Sequence, residues 1–227
     1  DAFELSRVTR MEHVNTTIYE TPQEGIACVA ARIAKLIRGR EAGGQKAVLS
    51  LASGRSMRDL FVELVRLHKE EGLSFKNVVV FCTYEFYPLA DLSTGSMAQI
   101  KSQLLDHVDI LPENVHAIPG DLPKENILTF CDDYEKLIAS VGGIDIQVLG
   151  IGQCGNIAMN EPGTQANSST RLVILDNNSR NDAKSLFGNA AQVPASAITL
   201  AIDTILQATE VVLLAFGQHK ANIVKQA

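Results

Sequence analysis

Six short, near-continuous apolar runs alternate with longer stretches of helical periodicity, and that alternation leaves few architectures open. The runs are Ala47–Ala52, Val78–Cys82, Ile144–Leu149, Arg171–Asp176, Ile198–Ile202 and Glu210–Phe216. Strands that are apolar along their whole length belong to a sheet covered on both faces, and helices between them make the sheet mostly parallel. The reading is therefore α/β, a mostly parallel sheet with helices on both faces.

The helices carry their own punctuation. Thr21-Pro22-Gln23-Glu24 supplies a cap, a first-turn proline and the glutamate of a capping box. Ile26, Val29, Ala30, Ile33 and Ile37 then recur at helical spacing until Gly43-Gly44. A second helix follows the turn Ser53-Gly54-Arg55-Ser56, with Leu60, Phe61, Leu64, Val65 and His68 on one face. Ser56 is read as its cap, with Asp59 three residues on. The segment 92–97 starts a helix to about Leu105, and 106–120 reads as mostly loop. Lys124 to about Val141 is helical, with Ile127, Phe130, Tyr134 and Ile138 inward, and a last helix starts near Gln218. No linker, repeat or low-complexity segment interrupts the 227 residues, which read as one domain, 1–227, with a lead-in over 1–20. The chain opens at Asp1 and stops at Ala227 inside a helical pattern, so both ends read as cut.

Bulk properties narrow the partners. A net charge of −6 without a Lys/Arg run argues against nucleic acid and anionic membranes. No apolar run nears the roughly 18 residues of a membrane span. Cys28, Cys82, Cys131 and Cys154 include no C-x-x-C pair, so zinc chemistry is unsupported and a reducing, cytoplasmic setting is expected.

In open parallel sheets, ligands bind beyond the carboxyl ends of the strands. That rule selects 53–56, 83–89, 150–163 and 217–220. Gly150-Ile151-Gly152-Gln153-Cys154-Gly155 matches the dinucleotide pattern and Asp176 lies at a tempting distance, but Asn160-Glu161-Pro162-Gly163 breaks the helix the pattern needs. The amides of Ser53, Gly54, Arg55 and Ser56 at a helix start make an anion site. Lys220, in the first turn of the last helix, is a cation where the dipole disfavours one, which suggests an anion to meet it. Thr83-Tyr84-Glu85-Phe86-Tyr87-Pro88 offers either a general base in Glu85 or an aromatic wall.

Together these segments resemble the glucosamine-6-phosphate deaminase/isomerase family, whose fold and phosphate loop are shared by 6-phosphogluconolactonases. The residues that carry the resemblance include Phe3-Glu4-Leu5-Ser6, 70–77, 106–110, 142–145 and, most specifically, Asn156-Ile157-Ala158-Met159-Asn160-Glu161-Pro162-Gly163. The resemblance implies a Rossmann-like three-layer sandwich and a small sugar phosphate as ligand. Phosphate would bind at the first loop and Lys220, a histidine would open the ring, and a carboxylate would move a proton between C2 and C1 as ammonia leaves. It also implies no metal or organic cofactor and leaves a homo-oligomer open. Ser53, Gly54 and Ser56 fit the phosphate loop, whereas Arg55 replaces a small residue and Met57 a proline. Ser185 stands where the family has an arginine, with Lys184 beside it as a substitute. The proton-shuttling aspartate is Tyr84, the family's Asp-Gly-His is Cys154-Gly155-Asn156, and the glutamate that orients the histidine remains as Glu161. The expectation is a sugar-phosphate binder with weak or lost turnover. The alternatives are an isomerase or deaminase on a related hexose 6-phosphate using Glu85 or Cys154, and a non-catalytic structural or regulatory partner whose cavity Arg55 and Tyr84 fill.

Overall fold

The computed structural model describes residues 15–226. The resemblance at residues 3–6 lies outside them. In chain order the strands are β1 (Ala47–Leu51), β2 (Val78–Cys82), β3 (Tyr84–Tyr87), β4 (Val115–His116), β5 (Ile146–Gly150), β6 (Arg171–Ile174), β7 (Ser196–Thr199) and β8 (Glu210–Leu214). The helices are α1 (Pro22–Ala42), α2 (Arg55–Glu71), α3 (Ser96–Gln103), α4 (Ile127–Ser140), α5 (Asn177–Phe187), α6 (Ile202–Leu206) and α7 (Ala221–Gln226).

The main sheet is parallel throughout, in the order β4-β2-β1-β5-β8. β1 and β2 are buried at every position, as their unbroken apolar sequences require, and helices flank the sheet. Ile26, Ile33 and Ile37 of α1, Leu60, Phe61 and Leu64 of α2, and Ile127, Tyr134 and Ile138 of α4 join the strands in one core. α1 begins as its sequence predicts, with the Thr21 hydroxyl accepting from the Glu24 amide at 3.4 Å, and it stops at Gly43.

α2 begins differently. Its first residue is Arg55 and Gly54 is the N-cap, so Ser56 is already helical and caps nothing. Gly54, at φ 125° and ψ 175°, makes the turn out of β1 two residues earlier than a Ser56 cap would.

The segment after β2 adds a strand to the six expected. Tyr84–Tyr87 forms β3, which pairs antiparallel with β7, and β7 pairs antiparallel with β6. Two of the six expected strands therefore belong to a second sheet, ordered β3-β7-β6. β7 ends at Thr199, and Ile202 opens α6 instead of closing the strand. The stretch 106–120 holds the two-residue β4. The second sheet is tied to the main body through the Glu135 carboxylate, which accepts from the Thr170 amide at 3.0 Å and the Thr204 hydroxyl at 2.6 Å. Among the described residues no helix is long and apolar enough to cross a membrane.

Candidate sugar-phosphate site

β1, β5 and β8 are neighbours, so the turns that leave their carboxyl ends meet. They line a single cleft of about 380 Å³, closed on its sides by the start of α1, by β3 and by α5. Ser53, Gly54, Arg55 and Ser56 contribute from the first turn, Gly150, Ile151, Gly152 and Asn156 from the second, and Phe216, His219 and Lys220 from the third. The first amides of a helix have no acceptor within it. At α2 no side chain caps them, and the Met57 amide alone turns back, to the Gly54 carbonyl at 3.1 Å. Gly54 has φ 125° and ψ 175°, a region open essentially to glycine. Lys220 reaches across from the third turn and donates from Nζ to the Ile151 carbonyl at 2.7 Å. An ammonium has three donors, so two stay available to a ligand. Arg55 is exposed and the cleft is open, so neither Arg55 nor Tyr84 fills it.

Alternation along β3 separates its side chains. Tyr84 and Phe86 line the cleft, and Glu85 points to the other face. The Tyr84 hydroxyl donates to the Ser53 carbonyl at 3.2 Å and shares a 2.9 Å hydrogen bond with Ser53 Oγ. Burial pushes its pKa up to about 12, with the Ser53 hydrogen bond opposing. The Glu85 carboxylate accepts from the amides of Phe86 at 2.9 Å, Ser96 at 2.6 Å and Met97 at 2.9 Å, at the start of α3. Burial raises its pKa, and those three amides work against the rise. A Cβ on Gly95 would come within 2.7 Å of Glu85 Oε1, so that glycine makes the approach feasible. Glu85 is a cap for α3, not a group that lines the cleft.

Asn156 is in the cleft, folded over Gly152 so closely that a Cβ there would fall 1.7 Å from its Oδ1; its Nδ2 donates to the Ala158 carbonyl at 3.3 Å. Ala158 itself has φ 53°, an unusual conformation for alanine that concentrates at functional sites. Cys154 is half-buried but is not among the residues that line the cleft. Glu161 does not line the cleft either: its Oε1 accepts from the Ser179 hydroxyl at 2.6 Å, supporting the start of α5, while Oε2 is buried without a partner. No dinucleotide-type helix follows Gly155; turns run from 151 to 170.

α5 is the part of the site that the sequence reading missed. Ser179, Asp182, Ala183 and Leu186 line the cleft from it. Asp176-Asn177-Asn178-Ser179 was the available signal, because Asp176 Oδ1 caps the helix through the Ser179 amide at 2.6 Å. Lys184 and Ser185 do not reach the cleft. They line a smaller depression of about 250 Å³ beside it, with Arg55, Gln153, Asn181 and Asp182.

Residues 20–227 match the family model described as glucosamine-6-phosphate isomerases/6-phosphogluconolactonase. The chain belongs to this family. A glucosamine-6-phosphate deaminase of Bacillus pumilus is 40% identical over 201 residues, covering 86% of this chain and 79% of its own. A protein of Bacteroides thetaiotaomicron named as a putative glucosamine-6-phosphate deaminase-like protein is 48% identical over all 227 residues, and the chain spans only 34% of that relative's length. Among solved family structures, that of a monomeric glucosamine-6-phosphate deaminase superposes with a TM-score of 0.85 at 33% identity, over 92% of this chain and 84% of the other. The 6-phosphogluconolactonase of Trypanosoma brucei shares the fold, with a TM-score of 0.67 at 23% identity over 92% of this chain and 84% of its own.

Proposed function

We propose that the cleft binds an amino-sugar phosphate in carbohydrate metabolism, with deamination and isomerisation slowed far below what a full set of acid and base groups would give. The observation that carries this reading is the convergence of the α2 amides, Ser53 and Lys220 on one cleft. Amides at a helix start and an ammonium group stabilise a phosphate dianion together. Arg55 at the rim adds a second cation.

The slow chemistry follows from two side chains. A phenol whose pKa lies near 12 is protonated at neutral pH and removes no proton from a sugar carbon. The Asn156 amide hydrogen-bonds but exchanges no proton. Each lost acid or base group costs about 10²–10⁴-fold in rate. The reading that substitutes Glu85 as base has no geometric support, because three amides hold its carboxylate on the opposite face of β3. The reading with Cys154 as acid or nucleophile lacks support as well, since Cys154 does not line the cleft.

Isothermal calorimetry with glucosamine 6-phosphate and with glucosamine tests the assignment. The phosphorylated sugar is expected to bind at least about a hundredfold more tightly, through charge-assisted bonds that the parent sugar cannot make. Equal affinities, or no binding of either at millimolar concentration, would overturn it.

A further inference from the structure

β2 ends at Cys82 and β3 starts at Tyr84, so Thr83 alone carries the chain from the parallel sheet into the antiparallel one. All of its polar atoms are engaged. Its amide donates to the Leu51 carbonyl of β1 at 3.0 Å, and its carbonyl accepts from the Leu200 amide, just past β7, at 2.9 Å. Its hydroxyl shares a 3.0 Å hydrogen bond with Ser50 Oγ of β1 and accepts from Gln147 Nε2 of β5 at 3.0 Å. Gln147 Nε2 also donates to the Ser50 carbonyl at 3.3 Å. Ser50, Thr83 and Gln147 are all 0% exposed, and none of them lines the cleft.

This polar set is a poor way to stabilise a core. Gln147 Oε1 is buried without a partner, and an unpaired buried polar atom is destabilising. Apolar side chains of similar shape would pack there at no loss. What hydrogen bonds add is a fixed spacing between the groups they join. Two walls of the cleft stand on these residues. Ser53 follows Ser50 by three positions and Tyr84 follows Thr83 directly, and the two side chains meet at the cleft, where their hydroxyls share a 2.9 Å hydrogen bond. The same connection extends toward the second turn. The Leu200 carbonyl accepts from Asn160 Nδ2 at 2.8 Å, and Asn160 adjoins Met159, which lines the cleft.

We infer that Thr83 and Gln147 are positioning residues, which set the spacing between the phosphate turn after β1 and the β3 wall and so fit the cleft to its ligand without touching it. Their role presupposes the sugar-phosphate reading. Thr83 acts as the joint between the sheets, and Gln147 holds that joint to β1 from β5.

Thr83→Val, Thr83→Ser and Gln147→Leu test this, each titrated with glucosamine 6-phosphate by calorimetry and melted without ligand. Valine keeps the branched shape and loses the hydroxyl, whereas serine keeps the hydroxyl. Thr83→Val and Gln147→Leu are expected to bind the sugar phosphate about tenfold or more weakly than the parent protein, because small displacements of binding groups are expensive. Thr83→Ser should stay within about threefold of the parent. Gln147→Leu removes the unpaired Oε1, so its melting temperature should lie within about 4 °C of the parent value. A merely structural role predicts the opposite split, a lower melting temperature with unchanged affinity in the folded protein. That split, or a Thr83→Ser that binds as weakly as Thr83→Val, would overturn the inference and leave the sugar-phosphate reading standing. Should Thr83→Val misfold, Gln147→Leu decides by itself. Failure of the parent protein to bind would remove both.

Discussion

The decisive residue is Tyr84. On β3 it occupies the inward position, and its hydroxyl braces Ser53 in place of meeting a substrate proton. Tyr84→Asp combined with Asn156→His should raise ammonia release from glucosamine 6-phosphate at least about tenfold over the parent protein, because a base and an exchangeable proton return together. A colorimetric ammonia assay reads this, and unchanged release would show that the block lies elsewhere. Glu85 makes a separate prediction about stability. Its folded pKa is raised, so between the ordinary carboxylate value and the raised one the folded state holds more protons than the unfolded state. That contribution is complete at low pH and is lost as pH rises through this window. The stability margin of the parent protein over Glu85→Gln should accordingly shrink from about pH 4 toward neutral, as measured by urea unfolding at several pH values. A margin that widens with pH would mean that the three amides outweigh burial.

At the scale of elements, the site is a property of strand order. Loops distant in sequence become neighbours because β1, β5 and β8 are adjacent. Gly54 is where this geometry is most exposed to substitution. At φ 125° an alanine is strained although no atom obstructs its Cβ. Gly54→Ala should cost about 1–3 kcal/mol of stability or shift the start of α2, and in either case weaken sugar-phosphate binding. Thermal unfolding together with calorimetry checks both effects. Much of this was legible beforehand. The apolar runs of β1, β2, β5 and β8 and the Thr21 start of α1 followed from pattern alone, whereas the pairing of the first and last turns came from the family resemblance. β3 and α5 did not. Tyr84–Tyr87 is only four residues long, and its partner β7 lies over a hundred positions away, so no local signal distinguishes it from a loop. α5 is a polar helix with few buried residues, Ser179 and Ala183, so periodicity is faint there. The cap was placed two residues late, at Ser56 instead of Gly54, because a serine–aspartate pair reads equally well as cap or as first turn until the strand exit is known.

The whole molecule is a parallel sheet with a small antiparallel sheet set against it, and the cleft lies between the turns of the first and the β3–α5 wall of the second. A ligand that bridges these parts stabilises the folded chain by mass action, about 2.7 kcal/mol at a hundredfold excess over its dissociation constant. The melting temperature should then rise with sugar phosphate and not with the parent sugar. The most direct measurement locates the phosphorus atom in crystals soaked with glucosamine 6-phosphate. Phosphate oxygens should accept from the amides of Gly54, Arg55 and Ser56 and from Lys220 Nζ. Density for the phosphate at any other place, with those amides bonded only to water, would contradict the account.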